Sequence, residues 1–231
     1  MDFFVDSLSS AILLIGSLDP ELFEIIGVSL KVSSTSTLIA SLVGIPAGFL
    51  ITFREFRGKA LLITVLNTLL ALPTVVVGLF VYAFISRRGI FGYLDLLYTQ
   101  EAMIIGQVIL IIPIVTTFTI SAVSRIDERY RETALTLGAN ALMTAWVVIR
   151  EARFGLVASV IMAFGRVIAE VGISMMLGGN AKGFTRNMTT AMALEYDKGE
   201  FVLSVALGIV LLTVSFGMNI IFHYFQGKTR V

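Results

Sequence analysis

The sequence predicts an all-α integral membrane protein with about five transmembrane helices, and three observations carry that prediction. Of the 231 residues, 57% are hydrophobic and 14% charged, more apolar surface than a soluble domain of this length can bury. The apolar residues gather into runs long enough to cross a hydrocarbon core, which takes ~20 helical residues. These runs are Val32–Phe53, Ala60–Ile85, Ala102–Val123, Phe154–Leu177 and Phe201–Phe225. Between the third and fourth lies a compact charged segment, residues 124–153, reading SRIDERYRETALTLGANALMTAWVVIREAR. All of residues 1–231 are expected to form a single transmembrane domain.

At the N-terminus, Phe3–Leu18 is apolar but short, and Pro20 closes it. Asp2 and Asp6 stand where a secretory signal would carry Lys or Arg, so no cleaved signal is expected. Residues 1–20 read as a helix in the membrane interface ahead of the first span, with a sixth crossing as the alternative. Pro46, Pro73 and Pro113 fall inside predicted spans, where each removes a backbone hydrogen bond and can kink its helix.

Orientation follows from the Lys and Arg residues of the loops. One side receives Arg54, Arg57, Lys59, Arg125, Arg129, Arg131, Arg150, Arg153, Lys228 and Arg230. The other receives only Arg87, Arg88, Lys182, Arg186 and Lys198. The richer side is predicted to be cytoplasmic, which puts the N-terminus outside and both the C-terminus and the 124–153 segment inside.

Several chemistries are excluded. There is no cysteine, and a lone His223 near the end of the last span builds neither a metal site nor a catalytic triad. Gly227-Lys228-Thr229 ends like a phosphate-binding loop, but Phe222 replaces the required first glycine. The chain is therefore expected not to be an enzyme and to need no cofactor. A net charge of +1 offers nothing to nucleic acid, and no nucleic-acid partner is expected.

The 124–153 segment has internal logic. Ser124 and Asp127 resemble a capping box that starts a helix as the third span leaves the membrane, and Asp127 can pair with Arg131 one turn on. Gly138 is a natural stop, because glycine accepts the left-handed backbone that ends helices. Asn140 can then cap a second short helix running to Trp146. Two short helices about a tight turn suit a docking element; the alternative is a plain solvated loop.

Within this segment, Glu132-Thr133-Ala134-Leu135-Thr136-Leu137-Gly138 resembles the EAA loop of ABC importer permeases, a Glu-Ala-Ala pattern followed after three residues by Gly. The resemblance implies a type I ABC importer-like fold with a cytoplasmic coupling helix between helices 3 and 4. It also implies that Glu132, Thr133, Ala134, Leu137, Gly138 and Ala139 seat in a cleft of an ATP-binding subunit. The family pattern continues with an apolar residue and Leu-Pro, where this chain has Val148-Ile149-Arg150-Glu151, so docking on that flank is expected to differ in detail.

The fourth run alone carries charge. Arg166 and Glu170 stand four apart, on one face of a continuous helix, and can form an ion pair. A charge at mid-bilayer costs about 2.5–3.5 kcal/mol even on permissive scales, so both should face protein or a water-filled path. Two readings stay open, a lining of the translocation route and a structural pair that locks the helix to its neighbours. Leu72-Pro73-Thr74-Val75-Val76-Val77-Gly78 resembles the second-helix segment of oxyanion permeases, which brings Pro73 and Thr74 toward the same route.

The loop after the fourth run is rich in Gly, Thr and Asn. Thr185, Arg186, Asn187, Thr189 and Thr190 offer hydroxyls, an amide and a guanidinium, groups that suit a tetrahedral oxyanion. The same residues also suit the polar start of an outer helix. Arg150-Glu151-Ala152-Arg153-Phe154-Gly155, Ala169-Glu170-Val171-Gly172, Met175-Met176 before Gly178-Gly179-Asn180, and Thr185-Arg186-Asn187-Met188-Thr189-Thr190-Ala191 are similar to the tungstate-type permeases. Similarity to molybdate and sulfate permeases is looser.

This resemblance implies an inner-membrane, multi-pass protein of a prokaryote that imports an oxyanion, tungstate foremost, with molybdate or sulfate as alternatives. It implies a homodimer, two copies of an ATP-binding cassette subunit and an extracytoplasmic tungstate- or molybdate-binding protein. A rival of another class is a self-contained ion-coupled transporter or channel using Arg166 and Glu170. Against it, the spans offer no second carboxylate for a relay and no inverted repeat.

Overall fold

The structure is a computed structural model that describes residues 2–227, so the basic tail at Lys228 and Arg230 lies outside the described residues. Their regular structure is helical, with no strand among them. In chain order the helices are α1 (Asp2–Gly16), α2 (Pro20–Phe53), α3 (Lys59–Leu69), α4 (Thr74–Ile85), α5 (Gln100–Ser124), α6 (Glu128–Thr136), α7 (Ala141–Ile168), α8 (Met188–Lys198) and α9 (Phe201–Gly227). Three of them are long and apolar enough to cross a membrane, namely α2, α5 and α9 through Tyr224. A fourth crossing arises if α3 and α4 are taken together as one broken span.

Two of the expected spans are corrected. The run Ala60–Ile85 is not one helix, because α3 stops at Leu69 and Pro73 stands in extended backbone as the N-cap of α4. Proline disfavours helical backbone in the residue before it and has no N–H to give. Pro46 and Pro113, by contrast, lie inside α2 and α5, which continue through them. The run Phe154–Leu177 is also broken: α7 ends at Ile168, residues 169–171 are non-helical, and the chain winds again into a wide π-type turn over Ser174–Gly178. α1 exists as expected, and at 15 residues it is too short to span.

The chain divides into two compact units that interleave in sequence. The first takes in residues 1–37, 72–110 and 164–217. Its core joins Ala11 of α1, Leu22 and Ile25 of α2, Ile168 of α7, Met188 and Ala191 of α8, and Ala206 and Leu207 of α9. Asp19 starts α2 by accepting the Leu22 N–H at 3.0 Å, satisfying one of the donors a helix start leaves free. Gly106 lets α5 lie directly on the turn after α7; a Cβ there would meet Ile173 and Leu177 at 2.6 Å.

The second unit takes in residues 38–71, 111–163 and 218–231. Val123, Val148, Ala152 and Leu156 form its core, with Ile45, Phe49 and Phe53 of α2 packed on it. α2 and α5 approach closely at Gly48, where a Cβ would lie 2.7 Å from the Thr116 carbonyl oxygen. α3 buries none of its residues, and only 11% of the apolar stretch of α9 is buried. Such faces are stable in lipid or against another chain, not in water.

Candidate coupling and translocation site

α6 begins at Asp127, whose carboxylate accepts the Arg129 N–H at 3.0 Å. The capping residue is thus Asp127 itself, since Ser124 still belongs to α5. Arg131 lies 4.0 Å from Glu128 rather than pairing with Asp127, and its guanidinium sits 5.7 Å above the Phe53 ring. The helix ends at Gly138, with φ of +79°. The Gly138 N–H donates to Leu135 and the Ala139 N–H to Ala134, the paired bonds of a Schellman turn.

Asn140 then caps α7 by accepting the Met143 N–H at 2.9 Å. The second helix does not stop at Trp146 as expected; it continues through the charged residues to Ile168. Nothing at Trp146 breaks it, since residues 141–168 contain no proline and Gly155 lies well within the helix.

The turn presents a dense apolar surface. Leu137 and Leu142 are each 82% exposed and Trp146 is 67% exposed, with Met143 beside them in sequence. Asp127, Tyr130, Thr133, Ala134, Leu137 and Val147 line a recess of about 490 Å³. Of the predicted coupling residues, Ala134 packs inward and Leu137 stands out, while Glu132 and Thr133 are exposed. An exposed apolar patch of this kind, shared between the turn and the start of α7, suits contact with another protein or with lipid.

Around the break after α7 the geometry differs from the ion pair that helical spacing allows. Arg166 sits exposed in the last turn of α7, and Glu170 lies beyond the helix end, 1% exposed. They do not form a salt bridge. Glu170 instead accepts the N–H groups of Ile173 at 2.9 Å and Ser174 at 3.1 Å, with the Ser174 hydroxyl at 3.4 Å. The carboxylate caps the turn that follows, and helix N-termini carry partial positive charge that favours an anion there. Gly172 lies directly against the start of α4: a Cβ on it would meet Thr74 Oγ1 at 2.9 Å and Val75 Cγ2 at 3.0 Å. The Pro73–Thr74 break and the Glu170 break thus meet at one point.

The polar loop residues turn inward. Asn187 caps α8 by accepting the Thr190 N–H at 2.9 Å, and the Thr190 hydroxyl accepts the Asn187 N–H at 3.2 Å. The Thr189 hydroxyl donates to the Glu170 carbonyl at 2.8 Å. Thr185 donates to the Gly178 carbonyl at 2.5 Å and accepts the Ala181 N–H at 2.9 Å. Arg186, its side chain 11% exposed, is balanced by Glu21 at 3.6 Å and Glu195 at 3.8 Å. The oxyanion contacts expected here are therefore occupied by the protein's own groups, because a capping box consumes the same hydroxyls and amide that an anion would need.

Residues 41–231 match the family described as binding-protein-dependent transport system inner membrane component. The chain belongs to that family.

A tungstate uptake system permease protein of Peptoclostridium acidaminophilum is 39% identical over 98% of this chain and 99% of its own. One of Campylobacter jejuni is 38% identical over 96% and 93%. Among solved structures, a chain of the MetNI methionine ABC transporter in its inward-facing conformation covers 89% of this chain and 96% of its own, with a TM-score of 0.66 at 17% identity. This family member shares the fold of such importer subunits and is an inner-membrane protein.

Sequence reasoning missed two features of this family member's site. The partners of Arg186 are Glu21, near the other end of the chain, and Glu195, in the helix that follows, and no spacing rule links either to it. The Met188 N–H is accepted by Ser29 at 2.7 Å, a contact whose only trace is the hydroxyl-rich stretch from Ser29 to Ser41.

Proposed function

We propose that this chain is the permease subunit of an ATP-driven importer that carries a tetrahedral oxyanion, tungstate ahead of molybdate or sulfate, across the inner membrane. The observation that carries the substrate assignment is its likeness, along nearly the whole chain, to permeases named for tungstate uptake. Two copies pair about a two-fold axis with the path between them, since one chain fully buries no residue of α3 and few of α9. Each copy's turn of Glu132, Thr133, Ala134, Leu137, Gly138 and Ala139 seats in one of two ATP-binding cassette subunits, which hydrolyse the ATP. A tungstate- or molybdate-binding protein delivers the anion from outside. No bond in the substrate changes.

The capped turn supports the coupling part of this reading: a Schellman turn and an Asn140 cap hold the exposed Leu137, Leu142 and Trp146 in a fixed arrangement. In this proposal the path runs past Pro73, Thr74 and the Glu170 turn, where two broken helices meet, with Arg166 nearby. Thr185, Arg186, Asn187, Thr189 and Thr190 hold the outer loop in place.

The test is ATP-driven uptake of tungstate into vesicles carrying the chain with its ATP-binding and binding-protein partners, with molybdate and sulfate as competitors. Uptake that sulfate does not inhibit, and that Gly138→Asp abolishes while membrane insertion persists, is expected. Uptake of sulfate in preference would move the substrate. Normal transport by Gly138→Asp would overturn the coupling assignment.

A further inference from the structure

A cleft in the second unit has no part in the reading above. The last turns of α5, the middle of α7 and the end of α9 enclose about 260 Å³. α5 and α7 touch at its floor, where a Cβ on Gly155 would lie 2.7 Å from the Ala122 Cβ. Phe118, Met162 and Phe222 supply apolar walls, and no carboxylate of the described residues lines the cleft.

Three polar side chains line the same space, and of these Ser159 already donates to the Leu156 carbonyl at 2.7 Å. Arg125 stands one residue beyond the end of α5, and Ser121 one turn before it. Neither side chain has a hydrogen bond or ion pair to another described residue. Arg131 and Arg153, by contrast, are engaged: the first by Glu128 and the Phe53 ring, the second by the Arg150 carbonyl at 2.7 Å and the Phe154 ring. Arg125 is thus a permanent cation, with five donors and no acceptor, set against hydrocarbon at the mouth of a cleft. The Lys and Arg distribution puts this end of α5 at the cytoplasmic face, the depth at which inner-leaflet phosphates lie.

We propose that this cleft is a binding site for an anionic glycerophospholipid of the cytoplasmic leaflet. The Arg125 guanidinium takes two phosphodiester oxygens, Ser121 donates to the phosphate or the glycerol, and the acyl chains follow Phe118, Met162 and Phe222. The chemistry selects a lipid over a free anion. A small oxyanion would gain from Arg125 but would leave the apolar walls wet, whereas a lipid satisfies both. Basic pockets between membrane helices on the cytoplasmic side take acidic headgroups on the same grounds.

The experiment uses the full chain in a neutral detergent and native mass spectrometry against dioleoylphosphatidylglycerol and dioleoylphosphatidylcholine. Phosphatidylglycerol should bind at least about tenfold more tightly than phosphatidylcholine, the scale of a charged hydrogen-bonded contact. Arg125→Gln should remove that preference, Arg125→Lys should keep part of it, and Arg57→Gln should leave it unchanged. Thermal unfolding without added lipid accompanies each variant, and Arg125→Lys carries the test if Arg125→Gln fails to fold. Equal affinity for the two lipids would overturn the proposal. So would equal loss in Arg125→Gln and Arg57→Gln, which reports general surface charge. Displacement of phosphatidylglycerol by millimolar tungstate would also overturn it, assigning the cleft to a free oxyanion. None of these readouts depends on transport.

Discussion

Glu170 carries the most at the scale of a single residue. Its carboxylate is buried without a cationic partner among the described residues, and its cost is offset by two backbone N–H groups and a hydroxyl. Glu170→Ala should therefore lower unfolding stability by about 1–3 kcal/mol, as expected when buried donors lose their acceptor. Glu170→Gln, which keeps one carbonyl acceptor, should lose less; chemical denaturation of the two variants in detergent measures the difference. Because Arg166 does not pair with Glu170, the effects of Arg166→Ala and Glu170→Ala should add within about 0.5 kcal/mol. A larger coupling energy in the double-mutant cycle would restore the ion pair that helical spacing suggests. The sequence made these residues conspicuous as charges in an apolar run. It did not disclose their roles, because i,i+4 reasoning assumes a helix that here stops at Ile168 between them.

The turns decide the behaviour of whole elements. The α6 turn was legible almost to the atom, since only a glycine tolerates φ of +79° without cost and Asn140 stands where a cap must. Gly138→Ala should cost about 1 kcal/mol through the left-handed backbone alone. Transport would survive this change better than Gly138→Asp, which adds charge beside exposed Leu137; uptake by the two variants at matched expression is the check. α8 depends on Asn187 in the same way. Asn187→Ala should cost about 0.5–2 kcal/mol and speed amide exchange at Met188–Thr190, read by hydrogen–deuterium exchange. The polar loop was read as an anion surface because caps and anion sites draw on the same residue types. Composition cannot tell them apart; the reciprocal Asn187–Thr190 bonds do.

For the molecule as a whole, composition pointed to the membrane, because no soluble packing hides so apolar a chain, and the length of the apolar runs pointed to helices. The lengths of the spans were less legible. Hydropathy sees Ala60–Ile85 as one run, yet Pro73 interrupts the backbone without lowering the apolarity that hydropathy measures. α2 begins at Pro20 rather than Val32, since Glu21, Glu24 and Lys31 lower hydropathy without hindering a helix. Uncovered α3 and α9 predict that the purified chain is a dimer in mild detergent, with light scattering giving twice the chain mass. A monomer there would place the pairing under the control of the partner subunits.

The 34 residues of α2 make it about 51 Å long, well beyond the ~30 Å of a hydrocarbon core. In a chain that contains no cysteine, such a rod becomes a ruler. Single thiols introduced one at a time from Glu21 to Phe53 would step through the bilayer in graduations of ~1.5 Å. The two positions at which a water-borne maleimide stops reacting would mark where lipid begins on either side, and would fix the depth of every other element relative to them.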